Sequence, residues 1–228
     1  MTRIIDLSQG IETGQPVYPG LAKTLINTWN TYEETARVQG QGLMDRLYTT
    51  CSIFISDHCA THIDALVHFG QRPFTAEQIP LELCYARGVA LDFSHKEPGE
   101  YIRVEDLDQA LQKTGTSIQS RDVVLMHTGA SDYWGDPRYF SYIIPVQADA
   151  IRFLFDQGVR IIGVDAITID SDPTYPAHVL AKELDYYHIE NLTNIKQVVG
   201  KRFQFAGFPL KLVGASGAPM RAVAILEE

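Results

Sequence analysis

His58-Cys59-Ala60-Thr61-His62-Ile63-Asp64-Ala65-Leu66-Val67-His68 gathers three of the chain's seven histidines and one aspartate into eleven residues. Imidazole and carboxylate are the donors that Zn²⁺, Mn²⁺ and Fe²⁺ take. A lone histidine usually belongs to the core or the surface; four donors spaced H-x3-H-x-D-x3-H point to a metal site. No regular element gathers them. A strand would place all four on one face, but its ten steps span roughly 33 Å, too far for one ion. A helix aligns His58 with His62 and Asp64 with His68, and sets the two pairs on nearly opposite faces. The segment therefore has to bend, as a strand running into a tight turn, and the small Ala60 and Ala65 permit close backbone approach. There is no H-E-x-x-H, since Cys59 follows His58. A catalytic ion needs few protein ligands and an open position. His58, His62 and Asp64 make one such set and leave His68 for acid–base work, a division that spacing alone does not select.

Outside this segment the chain is ordinary. It has 228 residues, 45% hydrophobic and 21% charged, enough for one sizeable core spanning residues 1–228. Net charge is −9 with no basic stripe, which argues against nucleic acid and against an anionic membrane surface. Cys51, Cys59 and Cys84 are odd in number and form no C-x-x-C, so reduced thiols are expected. The start, Met1-Thr2-Arg3-Ile4-Ile5-Asp6, has no signal-peptide apolar run, and no stretch approaches the ~20 apolar residues of a membrane span. A cytoplasmic location is expected.

The pattern along the chain is mixed α/β, with more strand than helix. Strands are expected at residues 3–7, 46–56, 88–93, 122–127, 159–165, 203–213 and 220–226. Gly10 to Gly20 reads as a loop. Val104 to Lys113 fits an amphipathic helix ended by Gly115, and Gln147 to Gln157 a second one stopped by Gly158. Helices between apolar strands suggest βαβ units. Neither G-x-G-x-x-G nor a P-loop occurs, so a nucleotide-binding protein lacks support.

The metal segment resembles the cyclase-like metal-dependent hydrolase family, whose motif is H-x-G-T-H-x-D-x-P-x-H; Ala60 and Leu66 replace its glycine and proline. The likeness extends over most of the chain. Ile5-Asp6-Leu7-Ser8 and Pro16-Val17-Tyr18-Pro19-Gly20 are similar to the family's start, Gly163-Val164-Asp165 to its central strand, and Gly217-Ala218-Pro219-Met220-Arg221-Ala222 to its C-terminal segment. His178 and Glu190, twelve residues apart, match its second ligand set.

The resemblance implies a swivelling β/β/α domain with a mixed sheet. It implies that His58, His62 and Asp64 hold a first divalent ion, Zn or Mn. In two-ion members Asp64 bridges to a second, completed by His178 and Glu190. His68 takes the acid–base position. His188, two residues from Glu190, is set aside as a decoy. Tyr18, Phe69 and Trp134, and with them Tyr133, are candidates for an aromatic-substrate pocket. The family includes bacterial kynurenine formamidases and isatin hydrolases. The expected reaction is therefore hydrolysis of an aryl formamide such as N-formylkynurenine, by hydroxide that the metal makes available near neutral pH. A cyclic amide of the isatin type is the alternative substrate, and a non-catalytic metal-binding protein the alternative class. The family's habit of assembly implies a homo-oligomer.

Overall fold

The computed structural model describes residues 1–39 and 47–227. Its centre is the parallel run β5 (Tyr85–Asp92), β6 (Val123–His127), β7 (Ile161–Val164) and β8 (Tyr187–Glu190), paired in that order. These strands are short and apolar because both faces are covered: all five residues of β6 and all four of β7 are buried. Helix α3 (Val104–Thr114) connects β5 to β6, and α4 (Ala148–Asp156) connects β6 to β7. Leu107 of α3, and Ala150, Ile151 and Leu154 of α4, are buried. Both helices stop where expected, at Gly115 with φ 65° and just before Gly158 with φ 90°, a backbone region that glycine enters without strain.

Strand β4 (His62–Asp64) runs antiparallel between β8 and β10 (Gly217–Glu227). β10 serves three neighbours. Gly217–Pro219 pair with β4, Met220–Ile225 with β9 (Arg202–Pro209), and its end with β1 (Thr2–Asp6). β9 in turn pairs with β5, so the sheet closes on itself as a seven-stranded barrel, with β1 added on β10. Mixed α/β architecture with more strand than helix is as expected. The closure goes beyond a layered β/β/α description, because joining β9 to β10 removes the free edges that stacked open sheets retain.

The expected strand at 46–56 is β3 (Thr50–Phe54); its first residue, Arg46, lies outside the described residues. β3 is exposed along its whole length and, among the described residues, pairs only with β2 (Leu25–Asn30), apart from the barrel. The segment 58–68 bends at both ends of β4. Ala60 has φ 50°, and after Asp64 the chain turns into the single-turn helix α2 (Val67–Gly70). Among the described residues, no helix is long and apolar enough to cross a membrane. The three cysteines are free.

Candidate active site

Strand register builds the site. His62 stands opposite Glu190 and Ile63 opposite Ile189 on the antiparallel pair β4–β8. Alternation then places His62, Asp64, His188 and Glu190 on one face, while Ile63 and Ile189 enter the apolar core. His58 arrives from the turn at Ala60, and His68 from α2, one helical turn past Asp64. His178 comes from α5 (Pro176–Val179), which Asp170 anchors: its carboxylate accepts from the Ala177 and His178 backbone N–H groups, each at 3.0 Å. Glu190 ends β8, so the cluster sits at the carboxyl ends of the parallel strands, where open α/β sheets also place their ligands.

Asp64 is the hub. Ring nitrogens of five histidines lie near its oxygens: His58 at 2.9 Å, His188 at 3.1 Å, His62 at 3.3 Å, His68 at 3.6 Å and His178 at 3.8 Å. The two oxygens divide these partners. Oδ1 faces His58 and His62; Oδ2 faces His68, His178 and His188. Glu190 divides in parallel, with Oε2 3.6 Å from His62 and Oε1 3.4 Å from His178 and 3.6 Å from His188. The centre thus has two halves joined by two carboxylates.

Hydrogen bonds on the far side of three of the rings fix their orientation. His62 Nδ1–H donates to the Ala60 carbonyl at 2.8 Å, and His178 Nδ1–H to Asp170 at 2.6 Å. Ser216 donates its hydroxyl to Asp57, so it accepts from His58 Nε2–H at 2.8 Å. In these tautomers, assigned from the network, His58, His62 and His178 each turn a lone pair toward carboxylate oxygens. Lone pairs facing lone pairs call for a positive charge between them. Asp64 Oδ2 and His188 Nε2 are buried without any hydrogen-bond partner, which points the same way. Imidazoles oriented by carboxylates and carbonyls are the usual surroundings of a transition-metal ion. The residues fit a divalent cation. Two sets, His58–Asp64–His68 and Asp64–His178–His188, each bring one donor atom per residue within 4.8 Å of the others.

The protonation pattern agrees. Burial would raise the Asp64 pKa, but His188 and His58 outweigh it and hold the carboxyl well below its usual range. Burial would likewise lower that of His178, but hydrogen bonds to Asp170 and Glu190 push it up to about 10. A metal ion competes with that proton for the same lone pair. At His68 burial prevails: it pushes the pKa down to about 4, helped by His58, His178 and His188 and opposed by Asp64.

Over the cluster lies a cavity of about 320 Å³, lined by His58, His62, His68, His178 and Glu190 below and by Tyr18, Phe69 and Tyr175 at the sides. Phe69 meets the rings of Tyr175 at 5.0 Å and His178 at 4.6 Å. The Tyr18 and Tyr175 hydroxyls are hydrogen-bonded at 2.9 Å. A larger groove of about 570 Å³, lined by Arg72, Arg121 and Arg160, holds none of the clustered histidines.

The structure therefore brings His58, His62, Asp64, His68, His178 and Glu190 together and places Tyr18 and Phe69 beside them. Trp134 is not among the lining residues. Its ring packs edge-on against buried Tyr139 at 5.2 Å, while Tyr133 meets the tilted ring of Tyr142 at 4.7 Å. His188, set aside on sequence grounds, belongs to the cluster. Its spacing of two from Glu190 is the strand period that puts both on one face. Tyr175, Asp170 and Ser216 were not singled out. Tyr175 sits three residues before His178, but Ser216 has no local signal, since only β10 brings it to His58.

Comparison with known proteins shows the family of the chain. The Cyclase family model matches residues 5–171. A kynurenine formamidase of Salinibacter ruber is 29% identical over 224 residues, covering 96% of each chain. A solved isatin hydrolase bound to the product analogue thioisatinate superposes with a TM-score of 0.86 at 18% identity, covering 100% of this chain and 93% of that one, a likeness of fold. A solved potential metal-dependent hydrolase with cyclase activity gives a TM-score of 0.77 at 27% identity, covering both chains completely. The chain belongs to the cyclase family.

Proposed function

We propose that this protein is a metal-dependent amide hydrolase acting on a small aryl amide, with an aryl formamide such as N-formylkynurenine as the favoured substrate. The carrying observation is the pair of buried carboxylates, Asp64 and Glu190, each divided between two sets of histidines beneath an aromatic-sided cavity. His58, His62 and Asp64 would hold one ion, and Asp64, His178 and Glu190 a second. When bound, such an ion supplies Lewis acidity and makes hydroxide available from water near neutral pH.

The chain's own groups supply the rest. Phe69, Tyr18 and Tyr175 bracket an aromatic ring above the cluster and restrict its orientation. His68 is the most accessible of the clustered imidazoles, with 27% of its side chain exposed. It is placed to take a proton from the attacking water and return it to the leaving aniline nitrogen at Nε2. The bonds from Asp57 through Ser216 to His58, and from Asp170 to His178, keep the surrounding rings from rotating.

A cyclic aryl amide is the second candidate, favoured by the compactness of the cavity behind the Tyr18–Tyr175 bond. A panel of formanilide, N-formylkynurenine and isatin on Zn²⁺- or Mn²⁺-loaded protein tests both. Hydrolysis of the formamides ahead of isatin supports the first reading, the reverse order the second, and no amide hydrolysis refutes both.

Zinc or manganese suits the mixed imidazole and carboxylate donors. Free cysteines support a cytoplasmic location. The exposed β2–β3 pair, with Leu25, Trp29, Ile53 and Phe54, supports a homo-oligomer. The strands and covering helices are compatible with a swivelling β/β/α domain whose two β-layers join into the barrel.

A further inference from the structure

We propose that His188 is a metal ligand. With Asp64 and His178 it forms an inner half of the centre that holds one divalent cation away from the substrate cavity, while His58 and His62 hold the other beside it. The inference rests on the reading that the centre binds divalent cations, and it extends the ligand set by one residue.

Three observations carry it. First, His188 Nε2 and Asp64 Oδ2 lie 3.1 Å apart, both buried and both without a hydrogen-bond partner. An ion coordinated by both atoms would supply each with a partner. Second, His178 Nε2 and Glu190 Oε1 face the same point. They are 3.4 Å apart, and His188 Nε2 is 3.6 Å from that same Glu190 oxygen. Two imidazoles and two carboxylate oxygens make a complete four-ligand set for zinc, the pattern of a closed site. Third, Asp64 and His188 do not line the substrate cavity. They instead line a separate space of about 10 Å³ with His68, His178, Phe69 and Tyr186, about the room of one water-sized probe. Strand β8 fixes the ring in place, with the Tyr186 ring lying over it at 5.8 Å.

Two kinds of ion follow. The inner one is enclosed and exchanges slowly; the outer one meets substrate and exchanges fast. The test is removal of Zn²⁺ from fully loaded protein by a colorimetric chelator, with metal content measured by mass spectrometry. Wild-type protein should bind two ions per chain and release them in one fast and one slow phase. His188→Gln should bind one ion and lose the slow phase, or weaken it at least tenfold. An unchanged slow phase in His188→Gln, or a single ion in wild-type protein, overturns the inference. Uptake of neither Zn²⁺ nor Mn²⁺ by wild-type protein refutes the metal-centre reading itself. Should His188→Gln fail to fold, ring-nitrogen NMR of His188 in wild-type protein decides the matter: Zn²⁺ should shift Nε2, and an unmoved resonance at two bound ions overturns the assignment.

Discussion

His62 on β4 faces Glu190 on β8 across an antiparallel pair, so residues 128 positions apart in sequence share one site face. The same register brings Asp64 beside His188 and sends Ile63 and Ile189 into the core. A slip of one residue would turn the four polar groups into the apolar core and the two isoleucines toward the site, so the core that stabilises the barrel also fixes the geometry of the centre.

His68→Ala should lower kcat for amide hydrolysis by roughly 10²- to 10⁴-fold, the range of a general acid–base residue. Metal content should be retained, since His58, His62, Asp64, His178 and Glu190 are untouched. Steady-state kinetics with metal analysis check this; a variant that keeps full turnover would remove His68 from the mechanism.

Gly217 pairs with Asp64, and a Cβ there would lie 2.7 Å from His58 Cε1. Gly217→Ala should therefore displace the His58 ring, weaken metal binding and lower activity by roughly 10²-fold, as a 1 Å misplacement can. Circular dichroism should show the fold intact. Unchanged metal affinity would mean that His58 is not a ligand.

Ala60 has φ 50° where the family motif carries glycine. A β-carbon is disfavoured in that region by roughly 1–2 kcal/mol, partly offset by the greater freedom of glycine in the unfolded chain. Ala60→Gly should raise unfolding stability by about 0.5–1 kcal/mol, read by urea denaturation. A loss of stability would contradict the backbone argument.

His127 gives a pH prediction away from the metal cluster. Burial alone would lower its pKa. Its hydrogen bond to Asp165, at 3.0 Å, and the charges of Asp165, Asp92 and Asp132 outweigh burial and hold it above 6.5. The folded state then binds the proton more tightly than the unfolded one, so stability falls as pH rises. The contribution is complete below 6.5 and is lost as pH passes the raised value. The stability gap between wild type and His127→Gln should therefore narrow as pH rises above 6.5. A constant or widening gap would refute the assignment.

What the sequence revealed follows the range of the forces involved. The four donors of residues 58–68 were legible because they are local, and so was the bend, since no regular element gathers them. Helices α3 and α4 were legible from periodicity and their terminal glycines. His178 and Glu190 depended on the family likeness, because no local pattern links residues 64 and 178. Barrel closure was hidden because it depends on β9 pairing with both β5 and β10, and a strand's own residues do not name its partners. β3 was legible as a strand from its β-branched and aromatic residues, but not its exposure, which depends on having only β2 as neighbour. The place of His188 in the cluster depends on which strand face it shares with Glu190, which sequence distance alone does not tell.

The central claim is that Asp64 joins the two halves of a metal centre on which amide hydrolysis depends. Metal-stripped wild-type protein and Asp64→Asn should be titrated with Zn²⁺ and with Mn²⁺ while ion content and N-formylkynurenine hydrolysis are followed together. Wild-type activity should appear in step with bound metal and vanish again on chelation, while Asp64→Asn should bind poorly and remain inactive throughout. Equal activity in stripped and loaded wild type, or full metal-dependent activity in Asp64→Asn, would contradict the account.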